Sequence, residues 1–413
     1  MSSLNPIPEF QYGPIVGYRR NAEKLLGIGD LRADAWGIQK VSLPYSIFHG
    51  MWTFDIPESM WFMYHNGTQV YSSSNITSVG GMARVATGGG VTSALLESRE
   101  CPRYQPNRGH LFSTALLAPN PTANAIREWG VGTEQNCVCF RLKGDGKLYA
   151  VRISGGILKD EEEIDTSAIK GFDVSKNNIY DIQFQWRSAG NYKFYIGNPE
   201  TGASQLVHKL CNLGQLTEAS IQDPAVPIRF LVVSNSEVSM DVGCADVTSE
   251  NGSQEPLQYE SADISNRAVN GTNAPVMAIH SPLTVGATGR INTRSITLAR
   301  ISVTCDKRAV FRVWSTRNPA AFTGATFRDV NQGSFIKTDS PDSAVGAVSA
   351  TAVNTALMNR ITTIPTQALQ SREVDNPYPQ GIVFPVVRGD YVVVTCTATS
   401  ANADCVIEWG EAI

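Results

Sequence analysis

Residues 97–156 read ESRECPRYQPNRGHLFSTALLAPNPTANAIREWGVGTEQNCVCFRLKGDGKLYAVRISGG, and their pattern decides the fold. Short apolar runs are cut at regular intervals by turn residues. Leu111, Phe112, Ala115, Leu116 and Leu117 form one run, which Asn120-Pro121 stops. Val138, Phe140 and Leu142 alternate with Cys137, Cys139, Arg141 and Lys143, the period of a half-buried strand. Gly144-Asp145-Gly146 then turns the chain, because Asp-Gly accepts the positive φ of a tight hairpin. On the return, Leu148, Ala150 and Arg152 face one way and Tyr149, Val151 and Ile153 the other. This pattern predicts antiparallel sheet.

The same signals recur outward from this stretch. Trp52 to Ile56 alternates, and so does Met60 to Tyr64, which Asn66-Gly67 turns back towards Gln69-Val70-Tyr71. Tyr180, Ile182, Phe184 and Trp186 alternate with polar residues, Ser188 to Asn191 turns, and Tyr192, Phe194 and Ile196 return. Cross-strand aromatic pairs contribute about 0.2–1 kcal/mol each, so this hairpin is a natural sheet centre. Further on, Ile296 to Cys305 and Ala309 to Trp314 form another strand pair, and Tyr391-Val392-Val393-Val394 lacks alternation, as a strand buried on both faces does. The expected fold class is all-β: two β-sandwich domains of jelly-roll or lectin-like type with an extended N-terminal arm. The expected arm is 1–50, with Pro6, Pro8 and Pro14 and one short helix over 21–32. The first sandwich is expected over 51–258, a linker over 259–275 within a polar, turn-rich stretch, and the second sandwich over 276–413.

The 413 residues are 17% charged, with a formal net charge of −4. Nucleic acid as the main partner is not expected, because phosphate binding needs a concentrated positive field. Membrane insertion is not expected either, since no run of about 18 apolar residues occurs. The start of the chain lacks the order of a signal peptide, so synthesis in a cytoplasm is expected.

Eight cysteines contain no CxxC spacing, which speaks against a zinc ribbon or a redox motif. Buried free thiols are one reading; oxidation that staples the finished assembly is another. If Ser400-Ala401 make a two-residue turn, Cys396 faces Cys405, the candidate disulfide.

A search for chemistry returns little. HExxH, GxSxG and Walker-type loops are absent from the sequence. Asp160-Glu161-Glu162-Glu163 reads as a solvated loop, with a calcium site as the runner-up. The five histidines are scattered without ligand spacing, and Arg388-Gly389-Asp390 reads as turn chemistry between strands. No catalytic residue, cofactor or metal ligand is expected.

Arg103 to Ala115 (RYQPNRGHLFSTA) and Arg127-Glu128-Trp129-Gly130 resemble a pattern found in virion structural proteins of tailed bacteriophages. The resemblance extends through Leu31 to Trp36, Gly171 to Val174 and the ending Val406 to Glu411. It implies a non-enzymatic virion protein that leaves its host by lysis. The expected role is an oligomeric, trimeric capsid decoration or minor capsid protein that uses the arm for attachment. The alternative is a tail, collar or baseplate fibre contacting the host surface, and a remote one is a glycan-binding or glycan-cleaving tailspike. Expected partners are further copies of the chain, the major capsid protein or tail and collar proteins, and a host surface glycan. Arg103, Tyr104, Arg108, Glu128 and Trp129 are the candidate subunit interface, with Arg103 and Arg108 pairing Glu97, Glu100 or Glu128 there.

Overall fold

The computed structural model describes residues 45–412, apart from 106–107, 120–121, 251–256, 286–289, 293–295, 330–336, 340–349, 368–370 and 376–384. The expected arm up to residue 44, with its helix, lies outside the described residues. The chain divides into two compact units, Met1–Ser253 and Gln254–Ile413.

The first unit contains β1 (Tyr45–Met51), β2 (Trp61–His65), β3 (Thr68–Val70), β4 (Ile76–Val79), β5 (Met82–Ala86), β6 (Ser93–Ser98), β7 (His110–Leu117) and β8 (Ile126–Gly132). It continues with β9 (Cys137–Lys143), β10 (Leu148–Ser154), β11 (Ile157–Glu163), β12 (Asn178–Gln185), β13 (Asn191–Gly197), β14 (Ser204–Cys211), β15 (Ile228–Val233) and β16 (Ser239–Ser249). Two eight-stranded antiparallel sheets result. One runs β14-β13-β12-β7-β16-β5-β4, with β1 also on β16; the other runs β11-β10-β9-β8-β15-β6-β2-β3. Sequence neighbours β7 and β8 lie in different sheets, and β15 returns between β8 and β6, so the chain crosses between layers as in a jelly roll.

Alternation places the core. Phe112 of β7 meets Phe230 of β15 across the core at 6.4 Å and Phe140 of β9 meets Phe194 of β13 at 5.0 Å, while Trp129 stacks on Phe140 with centroids 5.8 Å apart and meets Tyr180 edge-on at 4.9 Å. The aromatic hairpin forms as expected, with Ile182 opposite Phe194 and Phe184 opposite Tyr192. Asn66-Gly67 turns β2 into β3 with φ of 49° and 79°, the pair of positive angles its hairpin turn requires. Gly130 and Gly132 have a different reason. A Cβ there would stand 2.4 Å from the Val138 carbonyl oxygen and 2.3 Å from the Cys137 Cα, so β8 lies against β9 only with glycine at these positions.

Three expectations are corrected here. Residues 45–50 are sheet, since β1 pairs with β16, and the expected arm ends earlier than residue 50. Trp52 to Ile56 is not a strand: Trp52 and Ile56 anchor a loop in the core, while Phe54 points outward at 95% exposure. Asp160 to Glu163 is not a solvated loop but the end of β11, paired to β10, its acids facing basic side chains described below.

The second unit is also antiparallel sheet. Its strands are β17 (Leu257–His280), β18 (Thr284–Val285), β19 (Arg290–Ile291), β20 (Ile296–Cys305), β21 (Ala309–Thr316), β22 (Phe322–Thr323), β23 (Phe327–Asp329) and β24 (Lys337–Asp339). They are followed by β25 (Ala352–Val353), β26 (Asn359–Thr366), β27 (Arg372–Asp375), β28 (Pro385–Val386) and β29 (Tyr391–Ala412). β17 and β29 pair along almost their whole length, β20 adds to one half of β29 and β21 to the other. The expected linker 259–275 is therefore strand: its polar residues occupy the outer face of β17, while Ile264, Val269 and Val276 reach the core. Val392, Val393 and Val394 are fully buried, as their unalternating run implies.

The candidate disulfide is also corrected. Cys396 and Cys405 lie on one strand, β29, which continues through Ser400 instead of turning there. Nine positions of extended chain span about 30 Å, far beyond the reach of a disulfide. Ser400, at φ 47°, only shifts the parity of the strand, and all eight cysteines are free thiols.

Candidate interaction surface

The outer face of the second sheet of the first unit carries a row of charges of alternating sign. Arg229 on β15 donates through Nη2 to Glu128 Oε2 at 3.2 Å, and Arg141 on β9 donates through Nε to Glu128 Oε1 at 2.8 Å. Arg141 also reaches across β10 to Glu161 Oε1 at 2.6 Å, and Lys143 bonds the other oxygen of Glu161. Burial works to lower the Arg141 pKa, but Glu128, Cys139 and Glu161 outweigh it and raise the value. Burial likewise penalises charged Arg229, and Cys137, Glu128, Cys139 and Glu97 more than offset the penalty. For Glu161, burial pushes the carboxyl up, and the bonds from Lys143 and Arg141 bring it below its ordinary value. Cys137, Cys139 and Val151 pack as an apolar plug beside this row. Such an arrangement holds a sheet face rigid, with its carboxylates bound to cations.

The two open edges of the sandwich differ. On the β11/β14 side, Lys159 pairs Glu218, His208 lies 3.1 Å from Glu162, and Lys147 bonds Glu163 at 2.7 Å. Charges of this kind blunt a sheet edge against further pairing. On the opposite side, β3 reads TQV and β4 reads ITSV, without a charged residue. Near them Met51, Phe54, Tyr71 and Val79 are exposed. Met51, Phe54 and Tyr71 line a cleft of about 870 Å³ whose other lining residues include Met63 and Ile76, with Asp55 and Glu58 also on it. Several of its hydroxyls are used internally. Ser78 donates to the Trp52 carbonyl at 2.7 Å, and Ser73 Oγ accepts from the amides of Asn75 and Ile76. What remains open to a partner is chiefly apolar.

The expected interface residues do not form one cluster. Tyr104 packs against His110 and Trp186 at 5.5 and 5.6 Å and accepts from the Arg187 amide, so its loop folds back onto the first sheet. The Arg103 carbonyl lies 3.1 Å from His110 Nε2 in the same region, where Arg108 also contributes to the field at His110. Glu128 sits on the outer face of the second sheet, bonded to Arg141 and Arg229, and is not the partner of Arg103 or Arg108. Trp129 is fully buried between the sheets and has no surface to offer another subunit. The sequence reading missed Arg141, Arg229 and Glu161. Their signal was their parity, opposite to Phe140, Phe230 and the inward residues of β10, but only the register of β15-β8-β9-β10-β11 shows that they meet. The Arg-Gly-Asp tripeptide forms a turn with Asp390 bonded to Arg317 at 2.9 Å and both Arg388 and Asp390 buried. Among the described residues no group of three or more His, Cys, Asp or Glu side chains could hold a metal ion.

No family model matches the chain, and no curated protein does. Among solved structures, a β-1,3-glucanase from Mycobacterium marinum is similar at 15% identity over 49% of this chain and 98% of that one, with a TM-score of 0.35. The carbohydrate recognition domain of Emp47p is similar at 9% identity over 51% of this chain and 97% of that one, with a TM-score of 0.34. At these values the likeness carries nothing about what this chain binds or does.

Proposed function

We propose that the chain is a structural protein of a tailed-bacteriophage particle, a decoration or minor capsid protein, that works by docking the β3/β4 edge of its first unit against a further copy of itself. The observation that carries this reading is the contrast between the two edges: one is guarded by ion pairs, while strands β3 and β4 of the other carry no charged residue and have exposed Met51, Phe54, Tyr71 and Val79 near them. A cluster of exposed large apolar residues marks an association site, and an uncharged open edge offers unpaired backbone groups to a neighbour. The sequence pattern 103–115 supports the particle context. Sedimentation of the full chain tests the contact: Phe54→Ser with Val79→Lys is expected to convert an oligomer, a trimer on this reading, to monomer. A wild-type monomer at all concentrations contradicts it.

A second reading is glycan binding in the same cleft, favoured by the Phe54 and Tyr71 rings beside Asp55 and Glu58. It corresponds to the fibre alternative. Saturable binding of neutral oligosaccharide, lost in Phe54→Ser and present in a monomeric wild type, would select it.

A further inference from the structure

Asn-Gly occurs three times in the chain, at 66–67, 251–252 and 270–271, and the second pair lies outside the described residues. The other two both read Asn-Gly-Thr, so the local sequence treats them alike. Both are exposed, with Gly67 at φ 79° and Gly271 at φ 97°, and a Cβ at either glycine would meet nothing within 4 Å. The glycine leaves the amide nitrogen after each asparagine unshielded. The carboxamides differ. Asn66 Oδ1 accepts from the Thr92 amide at 2.9 Å, the Thr92 hydroxyl at 3.1 Å and the Ser93 amide at 3.0 Å, and its Nδ2 donates to the Gly90 carbonyl at 3.3 Å. Asn270 Oδ1 accepts from the Ser400 amide at 3.3 Å, the one bond of its side chain among the described residues. The β17/β29 ladder also shifts register on both sides of Gly271, between Val269 and Gly271 and between Gly271 and Ala274.

We propose that Asn270 is a site of spontaneous deamidation that undoes the support of the Ser400 bend, while Asn66, in the same tripeptide, is protected by its bonds. The Gly271 amide nitrogen gives its proton to hydroxide and attacks Asn270 Cγ. The N–Cγ bond forms, the Cγ–Nδ2 bond breaks, and the leaving nitrogen takes a proton from water and departs as ammonia. Water then opens the succinimide. Addition at Cγ breaks the new bond and gives aspartate; addition at the main-chain carbonyl carbon of Asn270 breaks the original peptide bond and gives isoaspartate. Nothing is oxidised or reduced, and water is the only co-reactant. For the ring to close at Asn66 four hydrogen bonds must be released, against one at Asn270. Three extra bonds at their usual net worth slow the reaction roughly hundredfold. The consequence falls on β29. Ser400 has a φ of 47° where that strand shifts parity, and Asn270 Oδ1 accepts from its amide. Aspartate keeps an oxygen in that place. Isoaspartate carries the main chain through the side chain and adds a methylene to β17, so the acceptor is displaced and the register at the bend is disturbed.

The test is prolonged incubation of the full chain in mildly alkaline buffer, folded and in urea, followed by peptide mapping that separates asparagine, aspartate and isoaspartate forms. In the folded chain Asn270 is expected to convert roughly hundredfold faster than Asn66, and in urea, where the bonds of Asn66 are gone, at about the same rate. As isoaspartate accumulates, thermal unfolding of the second unit is expected to fall by about 2–4 °C. Asn270→Gln closes the corresponding larger ring far more slowly and is expected to hold its unfolding temperature over the same incubation. Equal conversion of Asn66 and Asn270 in the folded chain overturns the proposal, and so does a difference between them that persists in urea. An unfolding temperature unmoved by isoaspartate at Asn270 overturns its link to the Ser400 bend. Mapping the wild-type chain decides the matter even where the variant fails to fold.

Discussion

Arg229 and Glu128 lie side by side on adjacent strands, bonded at 3.2 Å, with side chains 3% and 4% exposed. Each would be costly there without the other, because a buried charge that loses its partner keeps its desolvation penalty. Glu128→Ala is expected to destabilise the first unit by about 3–5 kcal/mol, read from urea unfolding. Replacing Glu128 and Arg229 together with methionine is expected to recover much of that loss, since Arg141 keeps Glu161. A double variant as unstable as Glu128→Ala would show that the face is held in some other way.

Trp129 gives a second prediction. It is wholly buried against Phe140 and Tyr180, so Trp129→Ala opens a large cavity in the middle of the sandwich. A loss of about 3–5 kcal/mol is expected, again by denaturant unfolding. A change under 1 kcal/mol would mean that the residue is not where the fold places it.

His110 supplies a pH dependence. It is stacked on Phe184 at 5.3 Å, its Nε2 faces the Arg103 carbonyl, and burial lowers its pKa from 6.5 to about 4. The backbone acceptor fixes the neutral tautomer with the proton on Nε2, donating to that carbonyl. A folded pKa below the unfolded one gives stability that is present above pH 6.5 and lost as pH falls through 4. The loss from this residue is about 3 kcal/mol at full protonation. His110→Phe is expected to flatten the first unit's unfolding free energy between pH 6.5 and 4; an unchanged slope would remove His110 as its source.

The edges give the fourth. Val79→Lys places a charge on an open strand that has none and lies at the surface, so folding stability should change by less than about 0.5 kcal/mol. Association should be lost. Lys159→Ala on the opposite, ion-paired edge should leave association as it is. Equal effects of the two substitutions would show that the contrast between the edges has no bearing on assembly.

The sequence revealed those features that depend on neighbours in the chain. Alternation placed Phe140, Leu142, Phe184 and Phe194 in the core, with Asp145-Gly146 marking the hairpin of the first two and Ser188 to Asn191 that of the last two. It failed where a residue's fate depends on distant register. Glu128 and Trp129 are adjacent in sequence, so the sequence pattern groups both with Arg103, yet the pleat sends one to the outer face and the other into the core. Polar residues over 259–275 looked like a linker because strand β17 buries only part of one face. Ser400-Ala401 looked like a hairpin turn because a parity shift within one long strand uses the same kind of positive φ as a turn.

The most direct measurement is quantitative mass spectrometry of gradient-purified phage particles from the lysate in which this chain is made, compared with the soluble fraction. The expected result is the chain in the particle peak, at a fixed number of copies per major capsid protein. Recovery of the chain only as a free monomer in the soluble fraction, with sugar released from host polysaccharide by that fraction, would contradict the structural role.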